Sequence, residues 1–110
     1  MTYNFYRADS YYKDDNWSID FDAFDEKNND VAINITFKDG DVLFSINDEL
    51  INDNDIKVQI LKDLKDSEYQ IEEDDDTFDK YWWKDFFYNI SEDIPDIYEQ
   101  AMETQEEMEK

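Results

Sequence analysis

Carboxylates are the only abundant groups in this chain that could do chemistry, since Asp and Glu make up 32 of its 110 residues and His and Cys are absent. Without His or Cys, the usual general base and the usual nucleophile–base pairs are missing. Two carboxylates could still act as a glycosidase pair, but among so many acids almost any two would qualify. The acid–lysine neighbours at residues 55–57 and 79–80 lack the strand context of a nuclease site. We therefore expect no catalytic residue and no enzyme activity.

Metal-binding patterns are also missing from the sequence. Gly40, the only glycine, lies between Asp39 and Asp41, but the spacing and the closing Glu of a calcium-binding loop are absent there and at residues 52–55. A chain without Cys cannot form a thiolate metal site or a disulfide framework. The sequence therefore predicts no metal and no cofactor.

The most distinctive stretch is a run of five acids followed by an aromatic segment. The acids are Glu72, Glu73, Asp74, Asp75 and Asp76, and residues 77–90 read TFDKYWWKDFFYNI. Within that segment an apolar side chain recurs every four residues, which predicts one buried helix face formed by Phe78, Trp82, Phe86 and Ile90. The aromatics off that face are Tyr81, Trp83, Phe87 and Tyr88. Two interpretations stay open for them: a helix enclosed between two layers, or a partly exposed aromatic patch that anchors a basic partner.

The net charge of −22 limits the classes of partner. Residues 1–55 carry 14 acids and four bases, and residues 56–110 carry 18 acids and six bases, so the excess is not confined to an acidic tail. Direct binding to nucleic acid needs a basic face, and so does binding to an anionic membrane surface. A basic protein partner, a bound cation or adaptation to high salt remain. The nine lysines and the many isoleucines and asparagines disfavour salt adaptation.

The N-terminal residues lack the basic and apolar regions of a signal peptide, and no apolar run approaches the roughly 20 residues of a membrane span. We therefore expect a soluble protein in the cytoplasm. We expect one domain, residues 1–110, with residues 103–110 frayed because Met108 is the only apolar residue there.

Hydrophobic periodicity predicts the elements of this domain. Apolar residues at every second position predict strands at residues 17–23, 31–37 and 42–46, and the alternation with polar residues is strict in the first of these. The pair Asp39-Gly40 predicts a primed hairpin turn between the last two. Residues 3–12 fit either a short strand or an irregular lead-in, and residues 68–71 fit either a fourth strand or a loop.

Helical spacing follows in the second half of the chain. Residues 56–64 predict a helix capped within residues 52–55 and ending near Asp66 and Ser67. The aromatic helix is expected from about Thr77, and a last helix from residues 91–95 with Pro95 in its first turn. Together these elements predict an α+β fold: a three- to four-stranded antiparallel sheet with about three helices packed against it.

The spacing of the acids is similar to that of nucleic-acid phosphates. Residues two apart on a strand lie ~6.6 Å apart, and residues four apart on a helix about 6 Å apart. Phosphates of one DNA strand rise ~3.4 Å along the axis, with a separation through space nearer two such steps. A charge of −22 equals that of about eleven base pairs. Asp20 with Asp22, and the acids of the last helix, therefore predict a phosphate-like surface, although a solvated acidic face without a partner would show the same pattern.

With its length, its lack of Cys and His, the EEDDD run, the WWKDFFY segment and a glutamate-rich end, the chain resembles phage-encoded DNA-mimic inhibitors, the anti-restriction and anti-CRISPR proteins. The resemblance is compositional, with no diagnostic motif. It implies a non-catalytic inhibitor, monomer or homodimer, that blocks the DNA-binding cleft of a host defence nuclease, with a CRISPR effector favoured. The alternatives are an immunity protein against a basic nuclease toxin and an acidic chaperone-like binder of basic proteins. The predicted partner-binding residues are Glu72, Glu73, Asp74, Asp75, Asp76, Asp79, Trp83, Tyr88, Glu92, Asp96, Glu99 and Glu103.

Overall fold

The sheet of this protein has six strands in its described part, and the first five follow one another along the chain as an antiparallel meander. The computed structural model describes residues 2–67, 72–73 and 82–109, and the side chains of residues 2–67 and 85–102. The strands are β1 (Asn4–Lys13), β2 (Asn16–Phe24), β3 (Asp30–Lys38), β4 (Asp41–Ile46), β5 (Glu49–Ile51) and a two-residue β6 (Glu72–Glu73). The helices are α1 (Asn54–Ser67), α2 (Trp82–Asp93) and α3 (Pro95–Glu109). The predicted α+β class is confirmed, with more strands than the three to four expected.

The strand order in the sheet is β5-β4-β3-β2-β1-β6, and only β6 runs parallel to its neighbour. The alternation that predicted β2 and β3 places Ile19, Phe21 and Ala23 opposite Ile35, Ile33 and Val31, all buried on one face. We call this face the inner face, because the helices pack against it, and the opposite face the outer face. Apolar side chains at every second residue are thus removed from water on one side while the polar ones remain on the other.

The strands at and near the two edges of the sheet are harder to predict from the sequence. Residues 3–12 form a strand rather than an irregular lead-in, since β1 pairs with β2 along its whole length with one irregularity between Phe5 and Arg7. β5 was not expected, because three residues are too few to show alternation. Glu72 and Glu73 were expected just ahead of a helix, but they form β6 and pair with Arg7 and Ala8. The alternative strand at residues 68–71 lies outside the described residues.

Three of the hairpins close with two-residue turns in which both central residues have positive φ. Asp39 (51°) and Gly40 (77°) form the predicted primed turn between β3 and β4. The other two turns use no glycine: Asp14 and Asp15 join β1 to β2, and Asn47 and Asp48 join β4 to β5. Positive φ at both positions is the type I′ geometry, which matches the twist of the flanking strands. Asn and Asp tolerate this left-handed region better than other residues with a side chain.

Helix α1 follows the prediction from its cap to its end. Asp53 caps it, since its Oδ1 accepts from the Asp55 N–H at 2.9 Å and its carbonyl from the Lys57 N–H at 3.2 Å. Ile60, Leu61 and Leu64 are fully buried, as their spacing indicated. The helix also buries two polar residues, Asp63 and Ser67, and the burial of Asp63 was not anticipated.

Helix α2 brings its apolar stripe onto the centre of the inner face. Phe86 and Ile90 are fully buried, which confirms the two members of the predicted face whose side chains are described. The Phe86 ring meets Trp17 and Phe37 edge-on, with ring centroids 6.4 and 5.7 Å apart. Such tilted pairs add about 0.5–1.5 kcal/mol each beyond the burial of their area. Phe78 and the expected helix start near Thr77 lie outside the described residues.

Helix α3 begins at Pro95, as a proline in the first turn predicts. The preceding residues 91–93 were expected to open this helix, but they complete α2 instead. Ile97 and Ala101 face the core. The backbone is helical as far as Glu109, and the fraying of residues 103–110 stays a prediction.

Candidate partner-binding surface

Helices α2 and α3 carry a run of acids that no basic residue interrupts, with Lys84 of α2 directly before it and Lys110 directly after it. From Asp85 to Glu109 the sequence has nine acids and no Lys or Arg, whereas the sheet region, residues 2–51, has twelve acids and four bases. The exposed acids of this stretch with described side chains are Asp85, Glu92, Asp96 and Glu99, and Tyr88 is an exposed aromatic among them. We call these five residues the helical acidic surface. It is the more concentrated of the two charged regions of the described chain.

Spacing along each helix accounts for this surface. Asp85, Tyr88 and Glu92 are three and four residues apart, so they lie on one side of α2, opposite the buried Phe86 and Ile90. Asp96 and Glu99 are likewise neighbours, on α3. The packed apolar stripe therefore fixes which acids face the solvent.

Tyr88 is the large exposed aromatic of this surface, with 62% of its side chain accessible. The interaction of its hydroxyl with the Glu92 side chain, one helical turn away, raises the pKa of Tyr88 above its ordinary value, with the negative charge of Glu92 adding to the effect. Ser91 Oγ donates to the Tyr88 carbonyl at 2.7 Å. The ring and the carboxylate thus lie on the same side of α2, one helical turn apart.

The neighbouring aromatic, Phe87, behaves differently. It is partly buried, meets Phe86 edge-on with ring centroids 5.1 Å apart, and has the Lys65 Nζ 5.3 Å from its ring centre. Of the two interpretations left open for the aromatics off the buried face, enclosure between layers therefore applies to Phe87 and exposure to Tyr88. The sequence could not distinguish them, because the distinction depends on where α1 lies.

The remaining predicted binding residues fall into three groups. Trp83 and Glu103 lie on α2 and α3, with side chains outside the described set. Glu72 and Glu73 lie on β6, at the sheet edge formed with β1 rather than on a helix. Outside the described residues lie Asp74, Asp75, Asp76 and Asp79. Tyr88 and Glu92 are predicted residues that the structure places one turn apart on the exposed side of α2.

A second acidic region lies on the outer face of the sheet. Asp20 and Asp22 both point to this face, as their alternation predicted, and Asp9 lies directly opposite Asp20 on β1. Like charges directly opposed across strands are destabilising. Sequence reasoning missed Asp9 because the register of β1 could not be derived without its bulge.

Polar neighbours offset this repulsion. The Asn34 side chain donates through Nδ2 to Asp20 Oδ1 at 2.7 Å and to Ser18 Oγ at 2.9 Å. Its side-chain oxygen, Oδ1, accepts from Thr36 Oγ1 at 2.7 Å. Arg7 pairs with Asp22 in the strand register. The region borders a shallow depression of about 430 Å³. Unlike the helical acidic surface, it is interspersed with basic and neutral groups.

Within the described part of the chain, no group of three or more acidic side chains is placed to hold a metal ion. No helix in that part is both long and apolar enough to cross a bilayer.

Comparisons with known proteins give no family assignment. The chain was compared with protein-family models, with curated proteins and with solved structures, and none matched.

Proposed function

We propose that this protein is a non-catalytic inhibitor that mimics DNA and blocks the DNA-binding cleft of a host defence nuclease in the host cytoplasm. A CRISPR effector is the preferred target and a restriction enzyme the second. The observation that supports this proposal most directly is the helical acidic surface, which belongs to a stretch of nine acids without a base. A cleft that binds the phosphates of a duplex with Lys and Arg is the complementary surface.

Rigidity distinguishes this surface from a flexible acidic tail. α2 is held by the fully buried Phe86 and Ile90, and α3 by the buried Ile97 and Ala101. The backbone that carries these carboxylates is already ordered before binding, whereas the backbone of an unstructured tail must first be ordered. The negative field also accelerates encounter with a cationic cleft at low salt.

The experiment that tests the proposal is competition. The protein is used to isolate its partner from the host, and binding to the purified partner is then measured with and without duplex DNA. We expect DNA to displace the partner and the affinity to fall steeply with salt. A partner that is a nuclease toxin encoded beside this gene would favour the immunity alternative. Partners that bind equally well in excess DNA would refute mimicry.

Neutralising acids in groups tests the surface itself. We expect the triple variant Glu92→Gln, Asp96→Asn, Glu99→Gln to lose about tenfold in affinity for the partner, since exposed ion pairs contribute roughly 0.2–1 kcal/mol each. Each single change should cost only about two- to threefold on the same basis.

The matched control is the triple variant Asp14→Asn, Asp15→Asn, Asp39→Asn, which removes the same charge from the hairpin turns. Asn tolerates their positive φ as well as Asp does. An equal loss of affinity in both triple variants would show that only the net charge matters, not the helical acidic surface.

A further inference from the structure

The outer face of the sheet carries almost no net charge, although the whole chain carries −22. By the strand register, its side chains form four rows that run across the strands, and two shallow depressions of about 300 and 430 Å³ lie along these rows. Three bases against four acids leave a charge of −1 in the rows, while Asp14 and Asp48 lie at the borders, on turns. In order from the β1–β2 turn, the rows are Lys13, Asn16, Lys38 and Asp41; Tyr11, Ser18, Thr36 and Leu43; Asp9, Asp20, Asn34, Ser45 and Leu50; and Arg7, Asp22 and Ala32.

The centre of this face can be covered with little loss of hydrogen bonding. Ser18 Oγ lies 2.9 Å from Thr36 Oγ1, and the Asn34 side chain bonds to both of these residues and to Asp20. Ser18 is only 5% exposed even in the single chain. Polar groups that already have partners within the chain cost less to remove from water than unpaired ones.

The rows are complementary to themselves. A two-fold axis along the second row, which contains Tyr11, places the first row of one copy over the third row of a second copy. Lys13 of one copy then lies over Asp9 of the other, because Tyr11 is midway between them on β1, and Lys38 lies over Asn34. The acids of the third row therefore face basic or neutral groups and not one another.

We propose that the outer faces of two copies of this chain pack against each other and form a symmetric homodimer. Sheets stacked in this way lie ~10 Å apart, with their strands within about 30° of each other. Four strands at ~4.8 Å and four rows at ~6.6 Å cover about 500 Å² per copy. The total of about 1,000 Å² is at the lower end of specific interfaces, so we expect a weak dimer.

This arrangement keeps the strongly charged surfaces of the two copies apart. The helices pack on the inner faces, so the dimer has four layers in the order helix, sheet, sheet and helix. At ~10 Å per layer the two helix layers are about 30 Å apart, whereas the Debye length at 0.15 M salt is about 8 Å. The inference goes beyond the proposed function and does not depend on it, because the helical acidic surface lies on the other side of the molecule.

Sedimentation velocity at 0.15 M salt, with the chain at about 10 to 500 µM, measures the association, since dimer formation depends on concentration by mass action. We expect the mass to rise from the 13.4 kDa of one chain towards twice that value. A chain that stays monomeric over this range would overturn the inference and would leave competition between DNA and the partner untouched.

A double-mutant cycle at Lys13 and Asp9 tests the pairing. Lys13→Asp should weaken dimerisation by about five- to thirtyfold, because exposed ion pairs contribute modestly and the symmetric dimer contains this pair twice. Asp9→Lys should weaken it to a similar extent, because two lysines then meet, even though the net negative charge falls. The double variant Lys13→Asp, Asp9→Lys should restore dimerisation, since opposite charges again face each other.

Lys27→Asp is the matched control, because it changes the net charge as Lys13→Asp does but lies on the exposed loop between β2 and β3, outside the four rows. It should leave dimerisation nearly unchanged. Equal weakening by Lys27→Asp and Lys13→Asp, or a dimer strengthened by Asp9→Lys, would show that only net charge governs association and would overturn the proposed interface. A double variant as weak as either single variant would overturn it as well.

Discussion

Asp63 connects the start of the sheet to α1, and its replacement tests whether the connection depends on a hydrogen-bond acceptor or on a charge. Its Oδ2 accepts from the Tyr3 N–H at 2.8 Å, and its Oδ1 from Gln59 Nε2 at 3.0 Å. Both Tyr3 and Asp63 are buried. Burial raises the pKa of Asp63, and the two hydrogen bonds oppose this rise without cancelling it.

Two variants separate the contributions. Asp63→Ala removes the acceptor and leaves the buried Tyr3 N–H unpaired, which should lower the free energy of unfolding by about 1–3 kcal/mol. Asp63→Asn keeps a carbonyl oxygen for Tyr3 and has no charge to desolvate, so we expect it to be at least as stable as wild type at pH 7. Gln59 can turn its amide to match the new partner.

The pH dependence has a definite sign. Because the folded-state pKa is raised, the folded chain holds more protons at Asp63 than the unfolded chain as the pH rises from about 3.9 to the raised pKa. The contribution of Asp63 to stability is therefore fully present below about pH 3.9 and is lost as the pH rises through the folded pKa. Relative to Asp63→Asn, the wild type should gain stability on acidification.

Urea unfolding followed by circular dichroism, from pH 3.5 to 7, measures both effects. The difference between wild type and Asp63→Asn cancels the titration of the other acids, and equal denaturant slopes confirm that the unfolded states are comparable. The nearest charges on α1, Asp66 and Lys62, are unchanged in both variants. If Asp63→Asn were destabilised as much as Asp63→Ala, the charge rather than the acceptor would be the stabilising group, and our reasoning would be wrong.

Two further changes test the packing and the turns by the same unfolding assay. Phe86→Ala should lower the free energy of unfolding by about 3–5 kcal/mol, because a fully buried ring is removed. Tyr88→Ala, two residues away and exposed, should change it by no more than about 0.5 kcal/mol. Similar losses in both variants would contradict the assigned faces of α2. Asp48→Gly should raise the free energy of unfolding by about 0.5–1 kcal/mol, because glycine adopts the φ of 68° found at this turn position without strain. Asp48→Asn removes only the charge, so it shows how much of any gain is electrostatic.

The strands could be predicted where one face is apolar over several residues. Ile33 and Ile35 alternate with polar residues in a way that only a half-buried strand requires, and the Asp39-Gly40 pair fixes the turn that follows. β5 and β6 lack such a pattern. They form because β4 and β1 offer partners, which is a property of the assembled sheet and not of their own residues.

The candidate site could be predicted only in part, for a similar reason. The acids Glu92, Asp96 and Glu99 follow from helical spacing, and the structure places them on the exposed side of α2 and α3. The separation of Phe87 from Tyr88 depends on Lys65 of a different helix. The role of Asp63 depends on a residue 60 positions away. Contacts of this kind, between residues far apart in the sequence, cannot be inferred from local hydrophobic periodicity.

The route of α1 has a consequence for the order in which the molecule folds. In the chain, α1 lies between β5 and β6, which form opposite edges of the sheet, with β6 beside β1. The hairpins close loops of only a few residues, whereas the β1–β6 pairing and the Tyr3–Asp63 bond must close loops of sixty residues or more. Short loops close first and at smaller entropic cost, so the meander is expected to assemble early and the N-terminal end of β1 to be secured late.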